Sequence, residues 1–156
     1  MLKWLVLAAL VMAADQLSKY AVLMSFVPGE IRPILPFFSL ILTFNTGAAF
    51  SFLADAGGWQ RTFFITIALV ASVWIVYLLR RHWQNSLFSL ALALILGGAL
   101  GNVIDRIRAG KVTDFLLFYY DRFHWPAFNL ADTAITIGAA LLIWESFFGK
   151  KPDAPR

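Results

Sequence analysis

The chain has 156 residues, of which 60% are hydrophobic and 14% are charged, with a net charge of +4 and a mean hydropathy of +0.74. Soluble domains carry about 25% charged residues, so this composition excludes an ordinary soluble domain and predicts a membrane protein. The basic residues are scattered, which suits contact with anionic lipid headgroups and excludes the continuous basic face of a nucleic-acid binder.

Residues 2–26 form the first hydrophobic stretch, and we predict that they make a retained transmembrane helix. A cleavable signal peptide is the alternative, because Lys3 precedes a short apolar run that ends at Ala13 and Ala14. Apolar residues resume from Tyr20 to Phe26, which makes the stretch long enough to span a bilayer.

Polar residues interrupt this first helix at Asp15, Gln16, Ser18 and Lys19. Asp15 and Lys19 are four residues apart, so they share a helix face and can form an ion pair. We predict a structural ion pair that faces the interior of the bundle. A catalytic Ser18–Lys19 dyad is disfavoured, because adjacent residues on a helix point about 100° apart.

Residues 27–58 contain three prolines and many strand-forming residues, which predicts short strands rather than a helix. We expect a small extramembrane platform that lies on the lipid interface. Within it, Phe44–Phe50 reads FNTGAAF, which places Asn45 in a turn where Gly47 permits close backbone approach. Taken alone, this stretch favours an ordinary turn.

Three further spans are predicted at residues 59–79, 87–106 and 128–148. Gly97 and Gly101 form a small-xxx-small pair in the third span, which normally allows helices to approach closely. We therefore predict one integral membrane domain over residues 1–156.

Basic residues suggest the orientation of the four spans. Lys3, Arg80–Arg81 and Lys150–Lys151 adjoin helix ends that alternation places on one side, which we assign as cytoplasmic. Both termini are then cytoplasmic, and segments 27–58 and 107–127 lie on the outer side. Basic residues are as numerous on that outer side, so the orientation depends on alternation and on the residues that directly adjoin helix ends.

Polar residues collect around the ends of the third and fourth spans. Gly98, Asn102 and Asp105 recur at helical spacing and share one stripe, with Arg106 beside them. Asn129 is suited to be the N-cap of the fourth helix. Asp132 then lies in the first turn, where the helix dipole favours an ionised carboxylate.

Asp114 lies between these helices, in the sequence VTDF, where an extended segment could return it to the membrane edge. Two carboxylates held about 3 Å apart share one proton and can activate water, as in aspartic proteases. We predict that Asp114 and Asp132 form this pair, with Asp132 as the base and Asp114 as the proton holder. Capping and ion pairing are the alternative roles for such aspartates.

Two other chemistries remain open on the residue types alone. A magnesium-dependent lipid-headgroup transferase could use a carboxylate cluster, and a proton-coupled transporter could use buried aspartates with Lys19. Metal chemistry has few other ligands, because cysteine is absent and the two histidines, His82 and His124, fall on opposite sides of the predicted membrane. Four short spans without paired broken helices make a poor transporter frame.

Five sequence blocks resemble, in order and spacing, those of the bacterial lipoprotein signal peptidase (signal peptidase II) family. The resemblance runs from Asp15 to the fourth helix, and no motif position departs from the family in a way that would disable it. The blocks are DQLSK (Asp15–Lys19), FNTGAAF (Phe44–Phe50), GGALGNVIDR (Gly97–Arg106), VTDF (Val112–Phe115) and FNLAD (Phe128–Asp132).

The resemblance implies an aspartic endopeptidase of the bacterial inner membrane that needs no metal or other cofactor. It implies an all-α polytopic fold of four transmembrane helices with a small periplasmic β-rich cradle and a short extramembrane helix. The expected substrates are prolipoproteins cut just before a diacylglyceryl-cysteine, and the other partners are membrane lipids. We expect a monomer whose active site faces the periplasm, with residues 34–53 contacting the lipidated segment.

The resemblance also assigns roles to residues of this sequence. It implies that Asp114 and Asp132 are catalytic, with Asp105 as the alternative partner. The positions expected to bind substrate or to support the site are Asp15, Lys19, Asn45, Gly47, Asn102, Asp105, Arg106 and Asn129.

Overall fold

The computed structural model describes residues 1–47 and 57–148, and four long helices account for most of them. The helices are α1 (Leu2–Ser25), α2 (Trp59–His82), α3 (Ser86–Ala109) and α4 (Leu130–Phe148). Each is long and apolar enough to cross a membrane. Their ends lie within three residues of the predicted spans, because polar residues such as Arg80 and Arg108 continue a helix beyond its apolar run.

Glycines allow α3 to approach two other helices closely. Gly97 and Gly101 face α1, where an added Cβ atom would lie 2.5 Å from the Ala8 carbonyl oxygen and from an Asp15 carboxylate oxygen, respectively. Gly98 faces α4, where an added Cβ atom would collide with the Ala131 carbonyl oxygen. The small-residue interpretation of α3 is therefore confirmed, and α3 is the helix on which the site is assembled.

A four-stranded antiparallel sheet lies at one end of the bundle, in the order β1-β2-β3-β4. The strands are β1 (Ile31–Leu35), β2 (Phe38–Asn45), β3 (Val112–Tyr120) and β4 (Phe123–His124). β1 and β2 come from the first connection, whereas β3 and β4 come from the connection between α3 and α4. The sheet therefore joins two segments that are distant in sequence.

Gly110 ends α3 and directs the chain into β3. Its φ of +75° lies in the left-handed region, and its N–H donates to the Arg106 carbonyl oxygen at 3.1 Å. A side chain would strain this conformation, so glycine is the residue suited to the sharp reversal. Only one residue separates Gly110 from the first residue of β3, so Asp114 is held close to the end of α3.

The predicted fold is confirmed in its four apolar helices and its short strands. The description "all-α" is too narrow, because strands from two connections form a hydrogen-bonded sheet. Within residues 1–47 and 57–148, no short helix accompanies the four long ones. The second half of the FNTGAAF block, residues 48–50, lies outside the described residues.

Replacing Gly138 by leucine tests the close contact between α3 and α4. An added Cβ atom at Gly138 would lie 2.7 Å from both the Ala91 carbonyl oxygen and the Ile95 side chain. We expect Gly138→Leu to lower the free energy of unfolding by roughly 1–3 kcal/mol through overpacking. Thermal unfolding in detergent measures the effect, and Ala140→Leu is the matched control because Ala140 is exposed on the same helix. Equal unfolding midpoints for the two variants would contradict the packing described here.

Candidate active site

A cavity of about 430 Å³ lies where the end of α3, the start of α4 and the sheet meet. Both predicted catalytic carboxylates, Asp114 and Asp132, line it. Three more of the predicted site residues line it with them, namely Asn45, Asn102 and Arg106. The structure thus brings together residues from α3, α4, β2 and β3 that are far apart in the sequence.

Asp132 is held by the N-terminal cap of α4. The Asn129 Oδ1 atom accepts from the Asp132 N–H at 2.9 Å, and the Asp132 Oδ2 atom accepts in return from the Asn129 N–H at 3.3 Å. This reciprocal pair is a capping box with aspartate at the N3 position. The predicted N-cap is confirmed, and it fixes the direction of the Asp132 carboxylate.

Asp114 lies on β3, opposite Thr43 of β2, and is buried. The Asn129 Nδ2 atom donates to the Asp114 Oδ1 atom at 2.7 Å. Burial raises the pKa of Asp114 from 3.8 to about 7, and the charge of Asp132 adds to the increase. Hydrogen bonds from Asn129 and Asn45 and the charge of Lys19 oppose it. Asp114 is therefore suited to hold a proton near neutral pH.

Asn102 connects Asp132 to a buried ammonium group. Its Nδ2 atom donates to the Asp132 Oδ1 atom at 2.8 Å. Its Oδ1 atom accepts from Lys19 Nζ at 2.9 Å and from Asn129 Nδ2 at 3.3 Å. An ammonium group can only donate, so Lys19 fixes which end of the Asn102 amide points toward Asp132.

Lys19 also pairs with two buried carboxylates. Its Nζ atom lies 2.8 Å from Asp15 Oδ2 and 2.9 Å from Asp105 Oδ2. The Asp15 Oδ1 atom accepts from the Ala131 N–H of α4, and Asp105 Oδ2 accepts from the Thr113 N–H of β3. The predicted Asp15–Lys19 ion pair is confirmed, and it connects α1 to α3, α4 and β3.

Arg106 and Gly47 join α3 to the end of β2. The Arg106 Nη2 atom donates to the Gly47 carbonyl oxygen at 2.7 Å, and the guanidinium group lies 5.1 Å from the centre of the Phe64 ring. The Gly47 N–H donates to Asn45 Oδ1 at 2.9 Å. The turn that looked ordinary in sequence therefore supports the site: Asn45 lines the cavity, and Gly47 lies behind it.

Comparisons of the whole chain with known proteins point to one family. The family model described as signal peptidase (SPase) II matches residues 7–148. The lipoprotein signal peptidase of Cupriavidus taiwanensis is 58% identical over 142 residues, which cover 91% of this chain and 81% of that protein. The lipoprotein signal peptidase of an Azoarcus species is 53% identical over 156 residues, which cover 99% and 89%.

Two solved structures of bacterial membrane enzymes have the same fold. The first superposes with a TM-score of 0.84 at 28% identity and covers 99% of this chain and 96% of the other. The second gives a TM-score of 0.81 at 30% identity, with 96% of both chains covered. Sequence and fold therefore agree over nearly the whole chain.

The chain belongs to the signal peptidase II family. It is accordingly a membrane protease, which favours the peptidase prediction over the lipid-headgroup transferase and the proton-coupled transporter. Within the described part of this signal peptidase, no group of three or more histidine, aspartate or glutamate side chains is arranged to hold a metal ion.

The predicted site residues of the signal peptidase fall into two layers. The cavity layer holds the two aspartates with Asn45, Asn102 and Arg106. Behind it are the five that do not line the cavity, namely Asp15, Lys19, Gly47, Asp105 and Asn129. Asp105 directs its oxygens at Lys19, Thr113 and Gln16, which fits a supporting role.

Some residues of the site were not predicted from sequence. Gln16 Nε2 donates to Asp105 Oδ1 at 2.8 Å and to the Gly101 carbonyl oxygen at 3.1 Å. Apolar walls come from residues 125–128 and from α4, whereas Phe37 and Phe38, which belong to the segment 34–53 predicted to contact the lipidated substrate, do not line the cavity. Gln16 could have been found from the sequence, because it is one of the polar residues that interrupt α1. No local sequence pattern pointed to the apolar wall of the cavity.

Replacing Lys19 by methionine tests the buried ion pairs. The substitution leaves Asp15 and Asp105 buried without their cation, so we expect the free energy of unfolding to fall by roughly 3–5 kcal/mol. Adding Asp105→Asn to Lys19→Met removes one of the two unpaired charges and should restore part of the loss. Thermal unfolding in detergent is the measurement, with Lys3→Met at the opposite end of α1 as the control. A Lys19→Met protein as stable as the control would contradict the assignment.

Proposed function

We propose that the chain is an aspartic endopeptidase in which Asp114 and Asp132 share one proton and activate water. Membership of the signal peptidase II family makes removal of the signal peptide from prolipoproteins its function. The observation that supports the mechanism is that buried Asp114 and half-buried Asp132 line one cavity, each held by a different asparagine amide.

The two aspartates take different parts in the reaction. Ionised Asp132 accepts a proton from water as the water oxygen attacks the carbonyl carbon of the scissile peptide bond. Protonated Asp114 donates a hydrogen bond to the carbonyl oxygen, where negative charge develops. Proton transfer to the peptide nitrogen then lets the C–N bond break, which releases an amine and a carboxylic acid and returns one proton to the pair.

The fixed amides support this division of roles. Both Asp132 oxygens accept hydrogen bonds, from Asn102 Nδ2 and from the Asn129 N–H, and these donors stabilise the ionised form. Asp114 lies on a strand rather than at a helix start, and its raised pKa keeps the proton on it near neutral pH. The dyad is therefore asymmetric before substrate binds.

The walls of the cavity suit a substrate that arrives through the membrane. Beside the polar floor, it is lined by apolar side chains from the 125–128 segment and from α4, namely Trp125, Pro126, Ala127, Phe128, Ile135 and Ile137. A signal helix and a diacylglyceryl group both bring apolar surface. Membrane anchoring holds such a substrate at the site, so proximity supplies much of the binding.

We place the site toward the periplasmic face of the bacterial inner membrane, with both termini cytoplasmic. Lys3, Arg80 and Arg81 lie at the end of the bundle opposite the cavity, which fits a cytoplasmic assignment of that end. One integral membrane domain over residues 1–156 carries the site, with segments 27–58 and 107–127 outside. We propose that the protein acts as a monomer, with Asp114 and Asp132 of one chain forming one site.

Substituting the two aspartates tests the mechanism. We expect Asp114→Asn and Asp132→Asn each to lower kcat/KM on a diacylglyceryl-modified prolipoprotein at least about a hundredfold, because asparagine cannot exchange the proton. The amide oxygen of the Asp114→Asn side chain can still accept the hydrogen bond from Asn129, so that variant should fold. Asp105→Asn should retain more activity, because Asp105 is part of the ion-pair layer. Gel-based cleavage of purified precursor measures each rate.

Asp121→Asn is the matched control for this series. Asp121 is exposed in the turn between β3 and β4 and has a φ of 51°, which asparagine tolerates. Wild-type activity should also be indifferent to EDTA. Full activity of either Asp114→Asn or Asp132→Asn, or loss of wild-type activity on chelation, would refute the aspartic mechanism.

The pH dependence of cleavage provides an independent test. Because its raised pKa keeps Asp114 protonated up to about pH 7, the one-proton form is present below that pH and disappears above it. We expect kcat/KM to fall as the pH rises through about 7. Asn45 lowers the pKa of Asp114 through a hydrogen bond, so Asn45→Ala should move this decline to higher pH. A decline that stays in place or moves to lower pH in Asn45→Ala would contradict the assignment of the proton.

A further inference from the structure

A second cavity, of about 630 Å³, lies between α1, α2 and α3 and shares no lining residue with the active site. Its walls are almost entirely apolar. They include Leu5, Ala9 and Met12 from α1, Val73 and Val76 from α2, and Leu100 from α3. These positions belong to the first half of α1 and the last part of α2, so the groove opens toward the end of the bundle away from the sheet.

The polar end of this groove is basic. Tyr77 and Arg80 line it, and Arg80 is exposed and has no acidic partner within the described residues. Arg81 lies beside them, 5.5 Å from the centre of the Tyr77 ring. Trp4 Nε1 donates to the Trp83 carbonyl oxygen at 3.0 Å, which ties the start of α1, with Lys3, to the end of α2. Arg80 therefore forms the basic end of this apolar groove, whereas Lys3 and Arg81 belong to the same end of the bundle but do not line the groove.

No polar group inside the groove calls for a polar ligand. Ser72 is the polar side chain on its inner wall, and its hydroxyl donates to the Ala68 carbonyl oxygen at 2.7 Å. A hydrocarbon chain fits such a wall, and a phosphate group fits an unpaired arginine. A signal peptide fits poorly, because its basic N-terminal region would meet Arg80 at the open end of the groove.

We propose that this groove binds one anionic phospholipid of the surrounding bilayer. One acyl chain lies along the apolar wall between α1 and α2, and the headgroup phosphate lies at Arg80 beside Tyr77. With the orientation proposed above, this lipid comes from the cytoplasmic leaflet. The site is separate from the catalytic cavity, so the proposal stands or falls independently of the aspartic mechanism.

Native mass spectrometry of the full chain in detergent, titrated with phosphatidylglycerol or with phosphatidylcholine of the same acyl chains, tests the proposal. We expect one phosphatidylglycerol to bind more tightly than phosphatidylcholine. Arg80→Gln should weaken that binding about fivefold, which is the effect of one basic residue near an anionic lipid. Ala9→Phe places an aromatic ring in the groove and should abolish it.

Each variant has a matched control in the same region. Arg81→Gln removes the same charge without touching the groove lining, and Val70→Phe adds the same ring at a position of α2 that is 65% exposed and outside the groove. Both should bind phosphatidylglycerol as the wild type does. Equal affinity for the two lipids, equal effects of Arg80→Gln and Arg81→Gln, or displacement of the lipid by a basic signal peptide would overturn the proposal. Cleavage activity in detergent should be unchanged by Arg80→Gln.

Discussion

The buried ammonium group of Lys19 is the interaction on which the rest of the site depends. Lys19 is 2% exposed and Asp15 is fully buried, so each would be very unfavourable without the other. The cation meets one carboxylate of its own helix and one of α3. The two carboxylates in turn accept backbone N–H groups at the starts of α4 and β3. One ion-pair cluster thus contacts both elements that carry Asp114 and Asp132.

This cluster also explains why asparagines surround the dyad. A buried carboxylate needs hydrogen-bond donors, but cations placed directly against both aspartates would favour loss of the proton that we propose they share. Asn102 and Asn129 supply donors without a full charge, and each has its amide orientation set by a partner. Lys19 orients the Asn102 amide, and the Asp132 N–H in the first turn of α4 orients the Asn129 amide. Lys19 therefore contacts Asp132 only indirectly, through the neutral side-chain amide of Asn102.

Much of the helical frame could be predicted from the sequence, because its signals are local. Long apolar runs predicted four spans, Asn129 before a helical stretch predicted the cap, and the spacing of Asp15 and Lys19 predicted their pairing. The glycines of α3 predicted close packing, but not that Gly97 and Gly101 face α1 while Gly98 faces α4.

Contacts between distant segments could not be predicted in this way. The second carboxylate that pairs with Lys19 belongs to Asp105 on another helix, and no spacing rule relates these two residues. The register that places Asp114 on β3 opposite β2 joins strands that are far apart in sequence, and the apolar wall depends on how residues 125–128 return toward α4. Resemblance to a family identified the polar residues, whereas only the fold showed which of them touch the cavity.

The position of Asp114 and Asp132 at one end of the bundle suits the dyad that we propose, given the chemistry of prolipoprotein substrates. A peptide bond next to a membrane anchor lies near the bilayer surface, and water must reach it there. A carboxylate deep in the hydrocarbon region would lack water, and one far outside would not meet the anchored peptide. The start of α4 suits both requirements, since the helix dipole favours a negative charge at its N-terminal end. The reversal at Gly110 returns β3 to that same end of the bundle, so the strand places Asp114 in the cavity that Asp132 also lines.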